Sequence, residues 1–68
     1  MKLIRKRVLA DRLGVSRATL DRWAHDPRYG HLNFPQPVPL GDASVAWIEA
    51  EVQEWLEARK AARDSEAA

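Results

Sequence analysis

Apolar positions change their spacing twice along this chain, from helical to alternating and back, and the breaks between runs mark its elements. In "KRVLADRL" (6–13), Leu9, Ala10 and Leu13 recur at the interval of one helix face, so a helix is expected over 6–13. Gly14 follows, where a helix C-terminus favours a residue at positive φ, and Val15 is a lone apolar plug. Ser16 then stands as an N-cap whose hydroxyl accepts from the amide of Thr19. A second helix is expected over 17–26, stopped by Pro27. On it Leu20, Trp23 and Ala24 share one side, with Thr19 at the margin. Arg17, Ala18, Asp21, Arg22 and His25 share the opposite arc. Two helices joined by a glycine turn within about twenty residues outline a helix-turn-helix.

After the connector "PRYGHLN" (27–33) the period falls to two. Pro35, Pro37 and Pro39 alternate in "FPQPVPLGDASVAW", so an extended strand here loses its N–H groups along one edge and keeps the other for pairing. Gly41-Asp42 suits a two-residue hairpin turn with the glycine at positive φ. That register sets Leu40 opposite Ala43, Val38 opposite Val45 and Gln36 opposite Trp47. The expectation is a single two-stranded hairpin, 37–40 with 43–47, whose proline edge resists edge-to-edge aggregation. Ile48, Val52, Trp55, Leu56 and Arg59 then form a helical stripe, giving a last helix over 48–63. Glu49, Glu51 and Glu54 lie near its start and Arg59, Lys60 and Arg63 near its end, as the macrodipole favours. Residues 64–68, "DSEAA", are expected to fray. The fold class is mostly α with a small β-hairpin: a winged helix-turn-helix, one domain over 1–63.

Composition narrows what such a domain can do. A chain of 68 residues with no cysteine has only apolar packing to hold it, and buries only about 60% of its unfolded surface. Trp23, Trp47 and Trp55 each fall on an apolar stripe, which assigns them to the core rather than to stacking on exposed bases. No apolar run approaches the roughly 18 residues of a membrane span. "MKLIRKRVLADRL" also lacks the apolar region of a signal peptide, so a soluble cytoplasmic protein with no membrane partner is expected. His25, Asp26 and His31 are too few and wrongly spaced for a metal site. No nucleophile–base set, phosphate loop or paired carboxylates suggest an active site. The expectation is a protein without cofactor or metal that is not an enzyme.

The net charge of +1 conceals a polarised chain. Residues 1–28 hold eight basic side chains against three acids, giving +5, while residues 41–68 hold three against seven, giving −4. Such a front points to a polyanion, and the second helix offers what duplex DNA requires. Arg17 and Arg22 can each bind guanine O6 and N7, a contact contributing about 1–3 kcal/mol of discrimination. Ala18 permits close approach and can touch a thymine methyl. Asp21 either accepts from cytosine N4 or pins Arg17 or Arg22, and the pinning role is preferred. The bland alternative is a solvated face with an Arg17–Asp21 ion pair, which contributes only a few tenths of a kcal/mol. The glycine turn and hairpin favour groove readout. Lys2, Arg5, Lys6 and Arg7 gather at a helix N-terminus where they oppose the dipole, which favours phosphate anchoring by this cluster, Lys6 and Arg7 foremost, over charge kept for solubility. Ser16, Thr19, His25, Arg28, Gly41 and Ser44 complete the expected phosphate contacts. Asp42 at the hairpin tip would be repelled by phosphate.

"VLADRLGVSRATLDR" (8–22), "FPQPVPLG" (34–41) and "VAWIEAEVQEWLEAR" (45–59) together resemble the AlpA-type phage and prophage regulators, which are related to MerR-type DNA-binding modules and phage excisionases. The likeness spans nearly the whole chain. It implies a sequence-specific transcriptional regulator of double-stranded DNA, with the hairpin as wing. The tip "GDAS" departs from the basic or polar-basic residue usual there. Two other readings fit the same residues. One is an excisionase-like factor that bends attachment-site DNA. The other is an interaction module whose acidic last helix, through Glu51 or Glu54, docks integrase or RNA polymerase. One small domain reads few base pairs, so cooperative multi-copy binding at repeated sites is expected.

Overall fold

The computed structural model describes residues 1–67, from β1 (Leu3–Arg5) through α1 (Lys6–Leu13), α2 (Arg17–His25), a 3-10 helix (Pro27–Leu32), β2 (Val38–Pro39) and β3 (Val45–Ile48) to α3 (Glu49–Ala67). This is a winged helix-turn-helix built around a small antiparallel sheet of order β1-β3-β2.

The helix-turn-helix forms as its sequence dictates. Gly14 ends α1 in the left-handed region at φ 73°. Its amide donates to Asp11 O at 3.2 Å and that of Val15 to Ala10 O at 3.0 Å, the paired bonds that close a glycine-capped helix end. Ser16 Oγ accepts from Thr19 N at 3.1 Å and caps α2. Leu9, Ala10, Leu20 and Ala24 are buried between the two helices, with Leu13, Val15 and Trp23 packed against them. Pro27 stops α2 and opens the 3-10 helix, whose end is Asn33 at φ 53°.

Three expectations at the sheet are corrected. The sheet has three strands rather than two, because Leu3–Arg5 pairs with β3, Ile4 lying opposite Trp47. The hairpin register is one residue away from the expected one. Val38 lies opposite Ala46 and Pro39 opposite Val45, and Leu40 N donates to Ser44 O at 2.7 Å. The loop is therefore Gly41-Asp42-Ala43, and Gly41 does not take the positive φ a two-residue turn would have demanded. A one-residue slip moves side chains to the other face, so Trp47 lies on the opposite face from Val38. The proline edge behaves as expected: even-numbered Leu40 bonds to β3, which turns the nitrogen of Pro39 outward.

The core holds Ile4, Leu9, Leu20, Phe34, Trp47 and Val52. Trp47 is fully buried and its indole N–H donates to Pro35 O at 2.8 Å. Trp55 donates to Leu32 O at 2.8 Å. Phe34 packs edge-on against Trp23 and Trp55, at 5.5 and 4.9 Å between ring centres. Trp47 is a core residue and Trp23 and Trp55, half-buried, pack against the core, as their apolar stripes imply. Ile48 belongs to β3, and α3 runs to Ala67 rather than stopping at 63, so the segment 64–67 is helical; Ala68 lies outside the described residues. The last turn of α3 consequently carries Asp64 and Glu66 and no cation, contrary to the charge pattern expected for a helix ending at 63. No described helix is long and apolar enough to cross a membrane.

Candidate nucleic-acid interface

Packing Leu20 and Ala24 inward leaves the opposite arc of α2 in solvent. Arg17, Ala18, Arg22 and His25 are exposed and Asp21 is half-buried. Neither Arg17 nor Arg22 forms an ion pair among the described residues. The Ser16 cap places Arg17 at the first position of α2, and its side chain joins a concave surface. There Arg5, Lys6, Arg7 and Arg17 surround a shallow hollow of about 340 Å³ with Ala43, Ser44 and Val45. Three elements distant in sequence thus line one basic hollow: the β1–α1 junction, the start of α2 and the loop end of the hairpin.

Asp21 does not pin Arg17 or Arg22, as its place on the helix suggests. Its carboxylate pairs with Lys6 Nζ at 2.8 Å, across the helix-turn-helix. The i,i+4 pair with Arg17 is not formed. Lys6, expected to be free for phosphate, is therefore already neutralised in part. Arg28 is likewise occupied: its guanidinium donates to both carboxylate oxygens of Asp26, at 2.8 to 3.2 Å, while remaining 82% exposed. The same carboxylate accepts from Arg28 N at 3.0 Å and so caps the 3-10 helix. Hydrogen bonds from the Arg28 side chain, then its backbone, hold the Asp26 carboxyl below the usual aspartate range, and the pair raises the guanidinium in turn.

Other expected contacts are less tightly grouped. Ser16 Oγ and Thr19 Oγ1 lie 2.9 Å apart, so one hydroxyl donates to the other and the acceptor keeps its own proton to donate onward. Ser44 borders the hollow, whereas Gly41 is exposed in the hairpin loop outside it. His25 lies at the other end of α2, beside Asp26 and Pro27. Arg5 lines the basic hollow with Lys6 and Arg7, three residues that form one basic cluster in the sequence. The signal was its adjacency to them, and what was missing was strand β1, which turns Arg5 and Leu3 to one face and Ile4 to the other.

Comparison with known proteins identifies the family. Residues 2–60 match the family model described as prophage CP4-57 regulatory protein (AlpA). The chain is 39% identical over 61 residues to the DNA-binding transcriptional activator AlpA of Escherichia coli (strain K12), a match covering 87% of this chain and 86% of that protein. No solved structure gives a significant match. With a family match over almost its full length and a basic helix-turn-helix surface at its front, this chain belongs to the AlpA family of prophage regulatory proteins.

Proposed function

We propose that this protein is a sequence-specific, double-stranded DNA-binding transcriptional regulator of phage or prophage type, acting in the cytoplasm. The observation that carries the proposal is that Arg17 and Arg22 are both exposed and without an ion pair among the described residues, with Arg17 lining the basic hollow. A helix enters the major groove with its first turns against base edges. Arg17 and Arg22 are the guanine readers, Ala18 allows close approach, and Asp21 stands among the base contacts while its partner Lys6 steadies it. Arg5 and Arg7 anchor phosphates, with Ser16, Thr19, His25, Gly41 and Ser44 donating hydrogen bonds around them. Lys6 and Arg28 reach phosphate only by exchanging a carboxylate for it, so they contribute less. The AlpA relative, named a DNA-binding transcriptional activator, supports this reading over one confined to protein contacts. Copies binding at neighbouring sites, with integrase or RNA polymerase as further partners, extend the same reading.

The test is selection of a binding site from random duplexes, followed by titration in about 150 mM salt with non-specific competitor. Arg17→Ala and Arg22→Ala each weaken the selected site by about 1–3 kcal/mol and flatten preference at the base pair they read. Unchanged circular dichroism shows that folding is intact. Wild-type affinity in both variants would overturn the proposal.

A further inference from the structure

The outer face of the sheet is apolar except for Arg5, which lies opposite Ala46. Strand register puts Leu3 opposite Ile48 and Val38 opposite Ala46 on that face, with Leu40 two residues beyond Val38. Leu3 and Leu40 are 44% and 46% exposed. Past Val38 and Ile48 this face continues into a groove of about 690 Å³, floored by Pro35, Trp55 and Ala58. Along the α3 wall of the groove stand Glu51, Glu54 and Arg59. None of these three charges forms an ion pair among the described residues.

We propose that this face docks a second copy of the same chain. The argument is self-complementarity. Glu51 and Arg59 lie about 12 Å apart along one helix at 1.5 Å per residue. A two-fold rotation that sets two α3 helices antiparallel therefore brings Arg59 of each copy to the acidic stretch of the other, twice over. The same rotation closes the aliphatic face over itself, removing Leu3 and Leu40 from water. A handful of side chains falls short of the roughly 1,200 Å² that a stable interface buries. The pair is thus weak in dilute solution and forms when two copies are held close, as on neighbouring DNA sites. The groove shares no residue with the basic hollow, and the sheet face meets that hollow only at Arg5, so docking leaves Arg17 accessible. Only this link to DNA rests on the function proposed above.

A dilution series followed by 15N NMR, from about 10 μM to 1 mM, tests the interface directly. Concentration-dependent shifts are expected at Leu3, Val38, Leu40, Ile48 and Trp55. Leu40→Glu abolishes them, its site being exposed enough to leave the fold intact. Arg59→Glu weakens self-association, and adding Glu51→Arg and Glu54→Arg to the same chain restores it, as only a self-docking face requires. On a duplex carrying two selected sites, Leu40→Glu reduces cooperativity by about tenfold while one-site affinity stays within about twofold. Shifts absent up to the highest concentration, or a charge swap as weak as Arg59→Glu alone, would overturn the proposal. Failure of the DNA reading looks different: unsubstituted protein selects no site, and the dilution series is unaffected.

Discussion

Gly14 is the position at which one atom decides most. A Cβ there meets nothing within 4 Å, so space is not the constraint. The backbone is: at φ 73° an L side chain crowds its own carbonyl. Gly14→Ala is expected to lower unfolding free energy by about 1–2 kcal/mol in a denaturant titration, with the folded spectrum unchanged. Asp26 makes a different kind of commitment, through protonation. Its folded pKa is depressed by Arg28. The stability it contributes is therefore present above the ordinary aspartate value and disappears as pH falls through the lower, folded value. An Asp26→Asn variant should lose that acid sensitivity. Carboxyl NMR titration showing Asp26 at or above the ordinary aspartate value would refute the assignment. Because the pair is on the surface, the effect is small beside that of Gly14.

The α1–turn–α2 unit could be read almost completely because each of its decisions is local. Gly14, Ser16 and Pro27 set their own boundaries through φ, a cap bond and a missing N–H. Ser16→Ala is expected to cost about 1 kcal/mol in thermal or chemical unfolding, since Thr19 N loses its acceptor. The sheet resisted the same reading for a physical reason. Gly41-Asp42 carries a strong two-residue turn signal, but the three-residue loop pairs Val38 with Ala46 and so turns Val38 to the face away from Trp47, a choice made by how β2 packs in the whole molecule rather than by the local turn preference. Strand β1 is three residues, "LIR", with a single buried side chain, and alone it has no period to detect. Its partner lies some forty residues downstream. The site divides along the same line. The outward arc of α2 follows from helical geometry alone, so Arg17 and Arg22 were legible. The Lys6–Asp21 pair depends on how α1 crosses α2, which no spacing within either helix encodes.

Charge behaves as a property of the assembled molecule rather than of the sequence count. Of the eight basic side chains in residues 1–28, Lys6, Arg12 and Arg28 are engaged by Asp21, Glu49 and Asp26. Five remain without an ion pair among the described residues: Lys2, Arg5, Arg7, Arg17 and Arg22. Only cations whose countercharge is the DNA itself release bound salt ions from the duplex. If all five meet phosphate or groove, log K falls against log salt with a slope of about −4 to −5. A slope near −7 would instead mean that the three carboxylates give up their partners on binding. The variants separate these outcomes. Arg7→Gln should reduce the slope by about 0.9, whereas Lys6→Gln should leave it nearly unchanged because Asp21 already holds that charge. In an Asp21→Asn background Lys6 is released, the slope steepens by about 0.9, and Lys6→Gln then removes the increment. An equal loss from Lys6→Gln in both backgrounds would show that the pair dissolves on DNA and that Asp21 does not set the charge of the surface.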